Sequence, residues 1–183
     1  MKTIQFLSLF ALAGLVLTSC SDDDPEVVNE EEVITTMTIT LTPQGGGTAI
    51  QLQSRDLDGD GPEPPVIDVS GNFSARTVYN GSIVLLNETE TPPENITLEV
   101  EEEADEHQFF YTIGASLSAS TEYSNVDENG NPLGTQFTFS AGDESTGNLT
   151  FTLRHDLKKP NDGSLADAGG ETDIAQTFPV VIN

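Results

Sequence analysis

The chain has 183 residues, of which 31 are Asp or Glu and only 6 are Lys or Arg, so its formal net charge is −25 at pH 7. This balance argues against nucleic acid as a partner, because binding to a phosphate backbone needs basic surface. The chain also has one cysteine, which excludes a disulfide framework and a cluster of thiolate metal ligands.

The first predicted element is an export signal in the apolar run 4–17. The run is shorter than the roughly 20 residues of a membrane-spanning helix and is typical of a removable signal peptide. It ends in Leu17-Thr18-Ser19-Cys20, which matches a bacterial lipoprotein processing site. Residues 1–19 are therefore predicted to be the signal peptide, and Cys20 is predicted to carry the acyl chains that anchor the protein to a membrane. The alternative is an ordinary secretory signal followed by a chance cysteine.

Residues 20–32 are predicted to be a flexible acidic linker. They contain Pro25 and many carboxylates but no apolar period, so they cannot bury enough surface to offset the entropy of ordering. The segment Ser21-Asp22-Asp23-Asp24 resembles the surface-export signal of Bacteroidetes lipoproteins. This resemblance implies a lipid-anchored protein of the outer membrane, exposed at the cell surface.

From residue 33 to the C-terminus the hydrophobic pattern has a period of two. In the first strand Met37, Ile39 and Leu41 alternate with threonines, as in a half-buried β-strand. Short strands of this kind recur with turn signals between them, and no connection is long enough to hold a crossover helix. Residues 33–183 are therefore predicted to form an all-β domain, a single antiparallel β-sandwich, with a β-barrel as the alternative.

Two local patterns in the middle of the chain predict a turn and a further strand. The dipeptide Asn80-Gly81 lies between two apolar runs. It predicts a tight hairpin turn, because both central residues of such a turn need positive φ, which Asn and Gly adopt readily. In residues 95–103, Ile96, Leu98 and Val100 alternate with polar residues, which predicts a strand.

The loop after the second strand has the sequence Asp56-Leu57-Asp58-Gly59-Asp60-Gly61. Three carboxylates at alternate positions followed by a glycine resemble the front half of a calcium-binding loop. It departs from an EF-hand at Ile67, which stands where the bidentate glutamate should be. The loop is predicted either to bind calcium through Asp56, Asp58 and Asp60 or to be an acidic turn without an ion.

The chain has only two histidines, and both continue an apolar stripe at the end of a predicted strand. His107 begins its strand and His155 ends another. If successive strands alternate in direction, both lie at one rim of the sandwich, together with Asp156 and the turn that carries Glu101, Glu103 and Glu106, while the loop 56–60 lies at the opposite end. Imidazole and carboxylate ligands suit zinc or ferrous iron. The rim is predicted to be either a metal site made by His107 and His155 with Glu101 or Glu103, or two partly buried histidines satisfied by carboxylates.

The sequence carries no catalytic motif. It has no Gly-x-Ser-x-Gly elbow, no His-Glu-x-x-His and no phosphate-binding loop. With no Trp and three Tyr it also offers few aromatic platforms for a sugar substrate. A non-catalytic binding module is therefore predicted, not an enzyme.

Four stretches, at 56–62, 85–88, 94–97 and 106–111, resemble small Bacteroidetes lipoproteins labelled "type 1 periplasmic binding fold superfamily protein". Genes of such lipoproteins often lie beside TonB-dependent receptors, so the resemblance implies an accessory to an outer-membrane receptor that captures a metal or a small ligand. The label names a two-lobed α/β fold, whereas the alternation in this chain predicts an all-β domain. The alternative function is a calcium-stabilised structural or adhesive module.

Overall fold

A computed structural model describes residues 32–58 and 61–183. These residues form two antiparallel sheets and no closed barrel, which confirms the predicted β-sandwich and not its barrel alternative. The predicted signal peptide, Cys20 and nearly all of the predicted linker lie outside the described residues. The described residues form one compact unit.

The described residues contain nine strands and two short helices. In chain order they are β1 (Thr36–Pro43), β2 (Ile50–Arg55), β3 (Val66–Val69), β4 (Val78–Leu86), α1 (Ile96–Glu102), β5 (His107–Ile113), β6 (Ala119–Tyr123), β7 (Gln136–Ala141), β8 (Ser145–His155), α2 (Leu165–Ala168) and β9 (Glu171–Ile182). The larger sheet has the order β3-β2-β1-β4-β7-β6, and the smaller has the order β5-β8-β9. No helix in the described part of the chain is long and apolar enough to cross a membrane.

One hydrophobic core joins the two sheets, and strand alternation selects its members. Side chains from the inner faces of both sheets are almost fully buried. They include Met37, Ile39, Leu41, Leu52, Leu85, Phe109, Phe137, Phe139, Leu149, Phe151, Leu153, Phe178, Val180 and Ile182. The period of two in the sequence thus selects the inner face of most strands correctly. The connection between β6 and β7 also contacts the smaller sheet through the backbone, because the Phe109 N–H of β5 donates to the Leu133 carbonyl at 2.7 Å.

Residues 95–103 do not form the predicted strand. Residues 96–102 are the helix α1, capped by the side chain of Asn95, which accepts from the Thr97 N–H at 3.2 Å. Ile96 and Val100 are spaced by one helical turn and are both buried, whereas Leu98 is 58% exposed. The spacing of Ile96 and Val100 fits a strand and a helix equally well. The N-cap hydrogen bond of Asn95 and the exposed side chain of Leu98 show that this segment is a helix.

Asn80-Gly81 is not a hairpin turn, because β4 runs without interruption through both residues. Gly81 pairs with Phe137 of β7 in the larger sheet. A Cβ atom on Gly81 would meet the Phe137 ring. The glycine is therefore needed so that an aromatic ring can cover the backbone of the neighbouring strand, a role that glycine also has in designed sheets.

We expect Gly81→Ala to destabilise the domain by about 1–3 kcal/mol, the usual cost of overpacking a filled core. Urea denaturation measures this change. In a double-mutant cycle with Phe137→Leu, the double variant should lose less stability than the sum of the two single losses, because the smaller side chain makes room for the new methyl group. Strict additivity would show that the contact with Phe137 is not what requires glycine.

Candidate metal centre

The structure brings the two histidines together at one rim of the sandwich. His107 begins β5 and His155 ends β8, and the two residues are directly opposite each other in the antiparallel pair. Their rings stack with centroids 4.3 Å apart and an interplanar angle of 20°. Both residues are buried, with exposures of 0% and 4%. Two imidazoles are thus held side by side, largely shielded from water.

Glu32 places its carboxylate against both rings. Its Oε1 lies 2.9 Å from His107 Nε2, and its Oε2 lies 3.9 Å from His155 Nδ1. The side chain of Glu32 is only 3% exposed. Within the described residues, no hydrogen-bond donor reaches its buried Oε2. The acidic neighbours of Glu32 predict a flexible linker over residues 20–32, so the sequence alone does not indicate this residue of the site.

Asp173 is the second buried carboxylate, and a β-bulge directs it to the site. The pairing of β8 with β9 shifts between Leu153 and Arg154, whose partners are Ile174 and Thr172, so Asp173 is the inserted residue. Bulges re-aim side chains in this way. Its carboxylate oxygens lie 3.9 Å from His107 Nε2 and 4.0 Å from His155 Nδ1. A bulge leaves no signal in a single sequence, so this residue was missed too.

The two glutamates predicted at the rim are separated because Glu101 lies in helix α1 and Glu103 is its C-cap residue. The carboxyl oxygen of Glu101 accepts from Thr135 Oγ1 at 2.7 Å, away from the histidines. Glu103 belongs to a group with Glu32, His107 and His155 whose ligand atoms all lie within 4.8 Å of one another. A strand would have put Glu101 and Glu103 on one face, but residues two apart on a helix point in different directions. Glu101 is therefore outside the group of ligand atoms that contains Glu103 and the two histidines.

The backbone carbonyl of Glu103 also orients His107. It lies 3.2 Å from His107 Nδ1, so it accepts the Nδ1–H and leaves Nε2 to face Glu32. An imidazole whose Nδ1–H is held by a backbone carbonyl is a common arrangement for a metal ligand, because it fixes the tautomer and the direction of the Nε2 lone pair.

The outer side of His155 faces two further carboxylates. Its Nε2 lies 3.7 Å from Glu106 Oε2 and 3.9 Å from Asp156 Oδ1. These side chains are 54% and 57% exposed. Asp156 has a φ of 50°, a left-handed conformation uncommon for a residue other than glycine. Acidic groups therefore contact His155 from the buried side and from the solvent side.

The charges of the buried groups depend on one another. Burial opposes protonation of His107, but the hydrogen bond and negative charge of Glu32 hold the pKa of His107 above its ordinary value. Burial likewise opposes ionisation of Glu32, yet the hydrogen bond from His107 holds the pKa of Glu32 below its ordinary value. Burial and the charges of Glu32, Glu103 and Glu94 raise the pKa of Glu99. In the absence of a metal ion, His107 and Glu32 therefore form an ion pair in an acidic environment.

In metal-free buffer, we expect the imidazole of His107 to titrate above its ordinary value of 6.5. In Glu32→Gln its pKa should be lower than in the parent, because only the hydrogen bond to the Glu103 carbonyl and the charge of Asp173 then oppose the effect of burial. The stability that the pair contributes is complete between about pH 4.5 and 6.5. It is lost above the raised pKa of His107 and below the lowered pKa of Glu32. NMR titration of the imidazole protons measures both variants, and an unchanged midpoint in Glu32→Gln would contradict this account.

A buried lysine holds the turn that carries Glu103 and Glu106. Lys159 Nζ donates to the Ala104 carbonyl at 2.6 Å and lies 3.5 Å from Asp127 Oδ2. The side chains of Lys159 and Asp127 are 5% and 0% exposed. Burial lowers the pKa of Lys159 despite the charge of Asp127. The buried pair of Lys159 and Asp127 therefore holds this turn in place independently of the histidines.

The predicted calcium loop lies at the same end of the sandwich as the histidines and not at the opposite end. The Asp56 N–H donates to the carbonyl of Thr35, three residues after Glu32. Asp58 Oδ2 accepts from the Glu63 N–H at 3.4 Å. Asp60 lies outside the described residues, so calcium binding by Asp56, Asp58 and Asp60 stays a prediction. The alternation of inward and outward residues does not show how the two sheets face each other, so it places this loop at the wrong end.

The site has the donor set of a divalent transition-metal centre. Three of the ligands would be His107, His155 and Glu32. The fourth would be Glu103 or Asp173, which both lie next to the histidines. Two imidazoles with carboxylates are a ligand set that zinc and ferrous iron accept. No family model, no curated protein and no solved structure matches this chain. The chemistry of the site therefore has to be argued from its own geometry.

Proposed function

We propose that this chain is an exported, lipid-anchored β-sandwich protein that binds one divalent transition-metal ion, zinc or ferrous iron. The ion is held by His107, His155 and Glu32, with a fourth ligand from Glu103 or Asp173. The protein acts at the outer membrane as a non-catalytic binding module and passes its ion to a receptor there. The receptor is part of the proposal because of the resemblance to lipoproteins encoded beside TonB-dependent receptors.

The observation that carries the metal proposal is a set of nitrogen–oxygen separations in the buried group. Three of them, from His107 Nε2 or His155 Nδ1 to Glu32 or Asp173, are 3.9–4.0 Å. They are too long for hydrogen bonds, which run from about 2.7 to 3.2 Å. Two ligands that each lie about 2.0–2.2 Å from one ion are about 3.3–3.6 Å apart at a tetrahedral angle and reach about 4 Å at wider angles. A small contraction of these three separations, together with the opening of the 2.9 Å contact between Glu32 Oε1 and His107 Nε2, would place the atoms around an ion.

The charge of the site supports the same proposal. The side chains of Glu32 and Asp173 are 3% and 4% exposed, and burying two carboxylates is costly unless positive charge compensates them. A divalent ion with two neutral imidazoles and two carboxylates makes a neutral group. The formal charge of −25 also raises the local concentration of cations around the protein.

We propose binding instead of catalysis because the donors are enclosed. His107 is 0% exposed, and the side chain of His155 is 5% exposed. A catalytic metal keeps a ligand position open to water or substrate, whereas a closed site holds its ion without turnover.

Calorimetric titration with zinc chloride tests the metal proposal. The chain should begin at Ser21, which removes the Cys20 thiol and the lipid but keeps Glu32 and the whole described core. We expect one zinc ion per chain. His107→Ala/His155→Ala should lose this binding and keep only the weak background of surface carboxylates. Glu102→Gln/Glu128→Gln, which removes two exposed carboxylates, is the control and should bind like the parent. Unchanged affinity in the double histidine variant would refute the proposal.

The anchor has its own test. When the full chain is expressed in a bacterium supplied with labelled palmitate, we expect the label to appear in the protein and the protein to fractionate with the outer membrane. Cys20→Ala should abolish both, because acylation needs the thiol. Label in the Cys20→Ala variant would contradict the processing site. This result is independent of the metal titration.

A further inference from the structure

His155 separates a buried group of ligand atoms from an exposed one. Its Nδ1 faces Glu32 and Asp173, and its Nε2 faces Glu106 and Asp156. The two inward carboxylates are 3% and 4% exposed, whereas the two outward ones are 54% and 57% exposed. The imidazole therefore stands between solvent and the buried site, and it can contact an ion on either side.

The outer group has the spacing of ligands and not that of hydrogen bonds. The distances from His155 Nε2 to Glu106 Oε2 and to Asp156 Oδ1 are 3.7 and 3.9 Å. They match two ligands on one ion at about 2.0–2.2 Å each. The ligand atoms of these three residues lie within 4.8 Å of one another. An exposed site with one nitrogen and two carboxylates suits rapid, weak binding of a hydrated divalent ion.

A neutral imidazole cannot serve both groups at once. One of its nitrogens carries a proton and the other has the lone pair that binds a metal. An ion at the outer group therefore needs the proton on Nδ1, where Glu32 and Asp173 face it. An ion at the buried group needs the proton on Nε2, where Glu106 and Asp156 face it. In either protonation state of His155, the ring N–H therefore faces two carboxylates.

We propose that Glu106, Asp156 and His155 Nε2 form an outer loading site, from which a divalent metal ion passes to the buried site on the other side of the same ring. In the transfer the bond from the ion to Nε2 breaks and a bond to Nδ1 forms. A proton leaves His155 Nδ1 to solvent and another is taken up at His155 Nε2, while the His107 imidazolium loses its Nε2 proton to solvent, so the transfer releases one proton and moves no electrons. The proposal rests on the metal-binding function proposed above, and it fixes the stoichiometry at one ion per chain.

Stopped-flow kinetics with Co²⁺ as the probe, followed by its visible absorption, test the loading site. The chain should again begin at Ser21. In Glu106→Gln/Asp156→Asn we expect the association rate constant to fall by about tenfold or more, as it does when a charged approach to a site is removed. The dissociation rate constant should fall in parallel, so the equilibrium affinity should change little. Glu102→Gln/Glu128→Gln removes the same number of charges and should keep the parent rate.

The alternative role for these carboxylates is to orient His155 from outside, and it gives a different result. Loss of groups that only orient a ligand weakens metal affinity by about 10–100-fold, with an unchanged association rate. That outcome would overturn the loading site, and so would an equal loss of rate in the control variant or a stoichiometry of two ions. If the parent chain binds no Co²⁺ or Zn²⁺, the metal-binding function itself is refuted. The two failures are therefore distinguishable.

Discussion

Replacing Glu32 by glutamine is expected to weaken zinc binding by about 100-fold, because the loss of a ligand should match or exceed the 10–100-fold cost of losing a group that only supports one. The substitution keeps the size of the side chain and removes its charge. Glu32 Oε1 is 2.9 Å from His107 Nε2, and its Oε2 is 3.9 Å from His155 Nδ1, so one carboxylate faces both imidazoles. Zinc titration of the chain from Ser21 measures the change.

The matched control for this prediction is Glu102→Gln, which neutralises an exposed carboxylate near the same rim. It should leave the affinity for zinc within about twofold of the parent, because an exposed charge interacts weakly through water. If Glu32→Gln binds zinc as the parent does, Glu32 is only a partner of the His107 imidazolium and not a ligand. The segment before β1 would then have no part in the site.

Replacing Phe151 by alanine is expected to cost about 3–5 kcal/mol of stability, the usual loss for a fully buried phenylalanine. Phe151 lies on β8 and is 0% exposed. Its ring packs against Tyr111 and Phe137 at 5.7 Å and against Phe178 at 6.0 Å, so it joins both sheets in one cluster. For a domain of this size the melting temperature should fall by about 10 °C or more. Urea and thermal denaturation measure the two changes.

Val126→Ala serves as the control because Val126 is 57% exposed in a loop. Its stability should stay within about 0.5 kcal/mol of the parent. A loss of less than about 1 kcal/mol in Phe151→Ala would show that the two sheets do not share the core described above.

Most of the fold could be predicted because strand alternation depends only on neighbouring residues. Phe178, Val180 and Ile182 are buried as their spacing predicts. Residues 96–102 were predicted wrongly because Ile96 and Val100 fit a helix as well as a strand, and the decision depended on a packing partner far along the chain. Thr97 Oγ1 accepts from the Leu85 N–H at 2.7 Å, which attaches the helix to β4.

The turn at Asn80-Gly81 was predicted wrongly for a related reason. A glycine between apolar runs indicates a turn from local preference alone. Here it allows contact with Phe137, a residue of a strand distant in sequence. A single sequence does not reveal which aromatic ring covers which glycine.

Part of the candidate site could be predicted, since His107 and His155 follow from parity and from the antiparallel order of their strands, and Glu103 lies in the turn predicted at the same rim. Glu32 and Asp173 could not be predicted. Glu32 lies at the end of an acidic segment whose composition indicates a linker, and Asp173 depends on a bulge that shifts the register of β9. Glu101 lies outside the group because its direction is set by helix α1, which the alternation of residues 95–103 does not indicate.

The measurement that tests this account most directly is zinc K-edge X-ray absorption of the chain from Ser21 loaded with one equivalent of zinc. We predict two imidazole nitrogens, with carboxylate oxygens completing a coordination shell at about 2.0–2.2 Å, and the loss of the imidazole signal in His107→Ala/His155→Ala. A shell made only of oxygen atoms, with no imidazole contribution in the parent chain, would contradict the account.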